Sequence, residues 1–139
     1  MKNIMAASLI AIGALASTSG AIAQEFKQPM KFVVPFAPGG ATDVLARMVA
    51  PKISAELGQP IIIENRAGAS GQIGTQYVKN SPADGSTFLV NTDSSLTILP
   101  NIMADVPYSS SRDFMMVGKI ATLPWALSVP AANNIKTLD

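Results

Sequence analysis

The sequence predicts an α/β fold with a parallel sheet. Three short runs rich in β-branched and aromatic residues, 31–36, 61–63 and 87–90, have the composition of buried strands. A helical pattern separates the first run from the second, and a loop of small residues follows each run. Strand, helix and strand at this spacing are typical of a right-handed βαβ unit, whose two strands are parallel.

Residues 1–23 are expected to be a cleaved secretory signal peptide. Lys2 is the positive n-region, and residues 4–16 form an uncharged, mostly apolar stretch. Ala21-Ile22-Ala23 is a small-x-small cleavage site, which leaves Gln24 as the new N-terminus. An uncleaved membrane anchor is the alternative, but the stretch is short for the roughly 20 residues that a span requires. The chain from Gln24 onward is therefore expected to be exported and soluble.

The first strand ends at a Pro38-Gly39-Gly40 turn, and a helix is predicted over 42–57. Thr42 or Asp43 could cap its N-terminus. Pro51 lies inside the pattern, so we expect it to kink the helix or end its first half. Gly58 is a natural C-terminal stop. The predicted apolar stripe that faces the sheet consists of Leu45, Met48, Val49, Ile53 and Leu57.

The second half of the chain is less regular. A glycine-rich loop follows the second strand, and a shorter helix is predicted to end near Lys79. The run 96–112 contains Pro100 and Pro107, which indicate a short helical turn and then a loop. Two further strands are predicted at 114–120 and 125–129.

The composition argues against most catalytic and metal-binding functions. The 139 residues include no histidine and no cysteine, which removes the commonest general base, the usual Ser-His-Asp triad, disulfides and thiolate metal sites. Loss of residues 1–23 with Lys2 would reduce ten basic residues to nine, equal to the nine acidic ones. A net-neutral chain does not indicate a nucleic-acid partner. We therefore expect no enzymatic activity, no metal and no cofactor.

Each predicted strand ends in a loop that could bind an anion. In parallel sheets, ligands bind beyond the carboxyl ends of the strands, where backbone N–H groups and hydroxyls can bond a carboxylate without a dedicated arginine. The alternative is a tight turn with Thr42 as an N-cap for the first loop, a flexible surface loop for the second, and a capping turn for the third. The candidate ligand-binding residues are Ala37, Gly39, Gly40, Thr42 and Asp43 in the first loop, Ala69, Ser70, Gly71, Gln72 and Ile73 in the second, and Thr92 and Ser94 in the third.

Charged residues beside these loops have structural alternatives. Asp43 falls in the first helical turn, where the helix dipole favours a carboxylate; the alternative is a contact with the amino group of an amino-acid ligand. Glu64-Asn65-Arg66 is expected to form a local polar network that fixes the second loop. Asp93 would repel a carboxylate unless it bound an amino group or pointed away.

Four motifs follow one another along the chain. They are Val-Pro-Phe-Ala-Pro-Gly-Gly-x-Thr-Asp (34–43), Leu-Gly-Gln-Pro-(Ile)3-Glu-Asn-Arg-x-Gly-Ala-x-Gly-x-Ile-Gly (57–74), Ser-Pro-Ala-Asp-Gly-Ser-Thr (81–87), and Val-Pro-Tyr followed by Arg-Asp-Phe (106–114). Their order and spacing resemble the Bug family of extracytoplasmic solute receptors, the substrate-binding components of tripartite tricarboxylate transporters.

The resemblance implies a periplasmic binding protein whose two α/β lobes close on a small carboxylate. It implies a monomer that delivers its ligand to membrane transporter subunits. Family members are more than twice this length, so the resemblance also implies a truncated receptor. Residues 24–118 would form the N-terminal part of the first lobe, and residues 119–139 would cross toward a second lobe.

Three other functions stay open at this point. The same exported lobe could present its ligand to a membrane signalling partner. It could be an exported enzyme that uses serine or aspartate chemistry, or a fragment without a stable fold. The sequence does not identify the carboxylic acid.

Overall fold

The structure, a computed structural model, describes residues 28–124, 126–130 and 137. The predicted signal peptide lies outside these residues, and so does Trp125, the first residue of the strand predicted at 125–129. No helix in the described part of the chain is long and apolar enough to cross a bilayer. The elements, in chain order, are β1 (Met30–Val34), α1 (Ala41–Leu57), β2 (Ile61–Asn65), a tight turn (Ala69–Gly71), α2 (Gln72–Lys79), β3 (Thr87–Leu89), a π-helical turn (Ser94–Ile98), α3 (Leu99–Ile102) and α4 (Ser110–Asp113).

The three strands form one parallel sheet in the order β2-β1-β3, which confirms the predicted fold class. Phe32 in the central strand is level with Ile63 on one side and Phe88 on the other. The chain leaves β1 toward β2 and then returns past β1 to β3. Because parallel crossovers are right-handed, this reversal places α1 and α2 on opposite faces of the sheet. It also makes the carboxyl ends of β1 and β3 a topological switch point.

The helix α1 packs through its alanines and not through the whole predicted stripe. Ala46 and Ala50 are at most 5% exposed, whereas Met48 is 63% and Leu57 48% exposed. Because alanine is small, the backbone of α1 can approach the sheet closely. The larger apolar residues on either side of the alanines are only partly buried. The residues that pack together on this side are Phe32, Val34, Ala46, Ala50 and Val90, with Val49 and Ile53 partly buried against them.

The N-cap of α1 differs from the prediction, and Pro51 does not end the helix, whereas the C-terminal stop is as predicted. Its N-cap is Gly40, with extended φ −70° and ψ 164°, so Thr42 and Asp43 lie inside the first turn and are not caps. Pro51 is exposed and does not end the helix. Gly58 ends it with a left-handed φ of 64°, as predicted.

The predictions of strands at 114–120 and 125–129 are wrong for the residues that the structure describes. Residues 114–124 and 126–130 have no regular secondary structure. Met115, Met116 and Val117 are between 75% and 87% exposed. An apolar run becomes a strand only when a neighbouring strand bonds its backbone groups, and none of the three described strands lies beside this segment.

Candidate functional site

The carboxyl ends of the three strands bring three loops together. They are loop 1 (residues 35–40), loop 2 (residues 66–71) and loop 3 (residues 90–95). A Cβ added to Gly71 would lie 3.4 Å from the Cβ of Ser95 and 3.6 Å from the Phe36 ring. Loop 2 therefore meets loop 1 and loop 3 at position 71, which is the centre of the candidate site.

Asp43 holds loop 1 against the first turn of α1. Its side chain is 3% exposed. One carboxylate oxygen accepts hydrogen bonds from the Gly39 N–H at 2.9 Å and from Arg47 Nε at 3.0 Å. The other accepts a bond from Asn65 Nδ2 at 2.9 Å. Both oxygens are thus occupied by protein donors, which favours the structural interpretation of Asp43 over contact with a ligand.

The hydrogen bond from Arg47, followed by those from Gly39 and Asn65, holds the pKa of the Asp43 carboxyl well below its ordinary value of 3.8. As the pH falls, the unfolded chain therefore binds a proton before the folded protein does. The stabilisation from the ionised carboxylate is complete above pH 3.8 and is lost progressively below it.

Replacing Asp43 by asparagine should make the stability of the protein depend less on pH in acid. We expect Asp43→Asn to melt at a lower temperature than the wild type near pH 6, because an amide is a weaker acceptor than a carboxylate. The difference should narrow as the pH falls toward about 2.5, since the wild type alone loses this contribution. Thermal melts across that range test the prediction, and a difference that is independent of pH would contradict it.

Asn65 links β2 to loop 1. Its Nδ2 donates to the Phe36 carbonyl at 3.2 Å as well as to Asp43, and its Oδ1 accepts from Arg47 Nη2 at 3.2 Å. The expected Glu64-Asn65-Arg66 network is therefore divided. Arg66 bonds Glu64 through Nε at 2.6 Å, but Asn65 fixes loop 1 and not loop 2.

Loop 2 has an unusual left-handed backbone. Gly68, Ala69, Ser70 and Gly71 have positive φ values of 136°, 46°, 54° and 92°. Two of these residues carry side chains, for which this region is sterically costly. A bond from the Gly71 N–H to the Gly68 carbonyl, 2.9 Å long, closes the turn. Consecutive N–H groups in such a turn can form a concave donor surface for an anion.

Loop 3 leads into a buried hydroxyl network. Ser95 is fully buried, and its hydroxyl accepts a bond from Asn91 Nδ2 and lies 3.5 Å from Thr75 Oγ1. Thr75 Oγ1 donates to the Gly71 carbonyl at 2.8 Å. This chain of bonds ties loop 3 to the end of loop 2. Thr92 and Ser94 lie between Asn91 and Ser95 in the chain, and their hydroxyl oxygens are 2.7 Å apart.

The predicted site residues all lie at this edge of the sheet, in or next to the three loops. Ala37, Gly39 and Gly40 are exposed in loop 1, whereas Thr42 and Asp43 are buried in the first turn of α1. Ala69, Ser70 and the first-turn residue Ile73 are exposed, Gly71 is buried, and Gln72 Nε2 lies 3.4 Å from Met103 Sδ. The two arginines that border loops 1 and 2, Arg47 and Arg66, are paired with Asp43 and Glu64.

Sequence reasoning did not single out Thr75, Asn91 or Tyr108. Asn65 was assigned to the wrong loop. The strand pattern could have predicted its correct contact. Side chains alternate along β2, so Asn65 lies on the same face as Ile61 and Ile63, which is the face that α1 covers. Among the described residues, no three His, Cys, Asp or Glu side chains cluster closely enough to hold a metal ion.

The switch point of a parallel α/β sheet, beside helix N-termini, is where proteins of this fold class bind their ligands. The family described as tripartite tricarboxylate transporter family receptor matches residues 45–139. The chain belongs to this family of receptors. The resemblance carried by the four motifs is therefore confirmed.

Relatives cover most of this chain but extend well beyond it. A Pseudomonas sp. (strain P51) protein encoded in the tcbD-tcbE intergenic region is 42% identical over 80% of this chain and 33% of its own length. BugT of Bordetella pertussis is 38% identical over 81% of this chain and 35% of its own. The chain thus spans about one third of the length of these curated relatives.

Two solved structures share the fold. R. palustris Rpa4515, solved with adipate, is 38% identical with a TM-score of 0.56, over 61% of this chain and 28% of that protein. MatC from Rhodopseudomonas palustris, with bound malate, is 33% identical with a TM-score of 0.54, over 63% of this chain and 30% of that protein.

Proposed function

We propose that the three loops bind one carboxylate end of a small carboxylic acid, as part of a periplasmic solute receptor. The observation that carries the proposal is the meeting of loops 1, 2 and 3 around Gly71, at the switch point of the sheet. The adipate and malate in the two related structures support the ligand class.

The donors at this site are neutral. The first N–H groups of α1 have no acceptor within the helix, and the dipole of the helix favours an anion beside them. The left-handed turn of loop 2 can add further N–H donors. Arg47 and Arg66 already pair with carboxylates, so the chemistry of the loops suits a carboxylate held by N–H and hydroxyl groups.

The proposal includes the partners that the family suggests. The receptor would deliver its ligand, as a monomer, to the membrane subunits of a tripartite tricarboxylate transport system. Residues 24–118 would belong to the first lobe and residues 119–139 would lead toward a second. The described residues offer no metal site, and the proposed function is binding without catalysis.

Adipate, malate and citrate, with adipamide as a neutral control, test the proposal. We expect at least one of the acids to raise the melting temperature of the protein in a concentration-dependent way, because a ligand that binds only the folded state stabilises it. Adipamide should produce no shift, since it lacks the charge that strengthens these hydrogen bonds. The absence of a shift with every acid would refute the proposal.

Thr42→Val adds a test of the site itself. Thr42 is 7% exposed at the start of α1, and valine nearly preserves its volume. Loss of one charge-assisted hydrogen bond should weaken the binding of the best acid by about tenfold or more in calorimetry. Thr87→Val, the same change at the opposite end of the sheet, is the matched control and should leave the affinity unchanged.

A further inference from the structure

The Val-Pro-Tyr…Arg-Asp-Phe motif of residues 106–114 packs directly on the end of loop 3. Tyr108 is 6% exposed, and its hydroxyl donates to the Ser95 carbonyl at 2.6 Å. The Ser110 hydroxyl donates to the next carbonyl, that of Leu96. Two side chains of the motif therefore bond two consecutive carbonyls of the π-helical turn.

Pro100 explains why one of these two carbonyls lacks a backbone donor. In the π-helical turn the Leu99 N–H bonds the carbonyl of Ser94, five residues back. The next donor in this pattern would be position 100, which would serve Ser95, or Leu96 in an α-helical pattern. Pro100 has no N–H. The Tyr108 hydroxyl bonds the carbonyl that this donor would serve in the π-helical pattern, and the Ser110 hydroxyl bonds the one that it would serve in the α-helical pattern.

Tyr108 is itself held in place from both sides. Asp113 accepts the Ser109 N–H at 2.8 Å and pairs with Lys79 Nζ at 3.2 Å. Lys79 also donates to the Pro107 carbonyl at 2.7 Å. The Tyr108 ring packs edge-to-face on Phe114, with centroids 6.0 Å apart. The motif is thus anchored to the end of α2, and the position of the Tyr108 hydroxyl is set independently of loop 3.

Ser95 connects the bond from Tyr108 to the candidate site. Its side chain bonds Asn91 in loop 3 and approaches Thr75, which bonds the Gly71 carbonyl in loop 2. A shift of the Ser95 backbone would therefore move both loops relative to each other. Burial raises the pKa of the Tyr108 hydroxyl, which keeps this group protonated as a donor.

We propose that Tyr108 is a positioning residue for the carboxylate site: its hydroxyl supplies the donor that Pro100 withholds from Ser95 and thereby holds loops 2 and 3 in their mutual arrangement. This inference rests on the proposed function only for its effect on the ligand. The coupling of the two loops is a property of the protein without ligand.

Tyr108→Phe in the full chain tests the inference, because it removes the hydroxyl and keeps the ring on Phe114. Tyr77→Phe on α2 is the matched control, since its hydroxyl contacts Lys31 and no residue of loop 3. Hydrogen–deuterium exchange of the free protein should be about fivefold faster in residues 69–75 and 91–98 of Tyr108→Phe, the factor for one ordinary hydrogen bond. The control should exchange like the wild type there. Adipate and malate affinities should fall by a similar factor in Tyr108→Phe alone.

Each result decides between the two proposals. Unchanged exchange in both segments overturns the inference and leaves the carboxylate site standing. Faster exchange throughout the chain also overturns it, because Tyr108 would then serve general stability. Faster local exchange with unchanged affinity for an acid that the wild type binds shows that the hydroxyl does not serve the site, and likewise overturns it. A wild type that binds neither acid counts against the proposed function, while the exchange pattern still decides whether Tyr108 couples the loops.

Discussion

Gly74→Ala is expected to lower the free energy of unfolding by about 3 kcal/mol, the upper part of the range for an overpacked core. A Cβ at this position would lie 2.7 Å and 2.8 Å from the Cβ and Cα of Pro35, and 2.9 Å from the Arg66 carbonyl oxygen. Two of the three atoms are backbone, and the third belongs to a rigid ring. The helix α2 could accept a methyl group only by moving away from loops 1 and 2 together.

Urea denaturation measures this effect, and the matched control is Gly118→Ala. A Cβ at Gly118 meets no atom within 4 Å, so the control should unfold within about 0.5 kcal/mol of the wild type. Because Gly74 touches both loops, the variant should also bind a carboxylate more weakly under conditions where it remains folded. Equal stabilities of the two variants would contradict the close approach of α2 to the sheet.

The parts of the fold that were predictable are those with a local signal. Three such signals predict a parallel sheet with the candidate site at the carboxyl ends of its strands: the β-branched runs, the Gly58 stop and the loops of small residues. The buried face of α1 was less visible, because Ala46 and Ala50 contribute little to an apolar pattern although they permit the closest contact with the sheet. For the exposed run after residue 113 the sequence pattern predicted too much. Its composition suits a strand, but no described strand bonds it.

The supports of the site were hidden because they join distant parts of the chain. Asn65 reaches the carbonyl of Phe36, and Tyr108 reaches that of Ser95. No periodicity marks such a pair before the fold is known. The left-handed turn was only partly predictable, for another reason. Glycine indicates a positive φ, but Ala69 and Ser70 also have positive φ, and nothing in their residue types predicts it.

Non-glycine residues in that conformation persist only when their surroundings enforce it. Here the turn is enclosed by Gly68 and Gly71, and its end is bonded through Thr75 to the buried Ser95 network. The mutual arrangement of the loops therefore depends on polar contacts between them as well as on the apolar core beneath them. Substitutions that preserve shape but reverse a hydrogen bond should consequently have large effects.

Asn65→Asp keeps the shape of the side chain and removes its hydrogen-bond donors. At neutral pH it should lower the melting temperature by roughly 10 °C. The amide nitrogen of Asn65 donates to Phe36 and to Asp43, both of which can only accept. A carboxylate in its place has no proton to give and brings a second negative charge beside Asp43. Like charges at this distance raise the pKa of one carboxyl, so the variant should regain stability as the pH falls from about 7 to about 4.

The wild type should not gain stability over that interval, because the ionised Asp43 carboxylate stabilises it down to pH 3.8 and is lost below. Melts at several pH values therefore distinguish a reversed hydrogen bond from a general loss of packing, which would lower the melting temperature equally at every pH. Asn101→Asp is the matched control, since its amide is exposed and donates only to the Thr97 carbonyl. If Asn65→Asp and the control followed the same pH curve, Asn65 would not be the residue that joins β2 to loop 1 and α1.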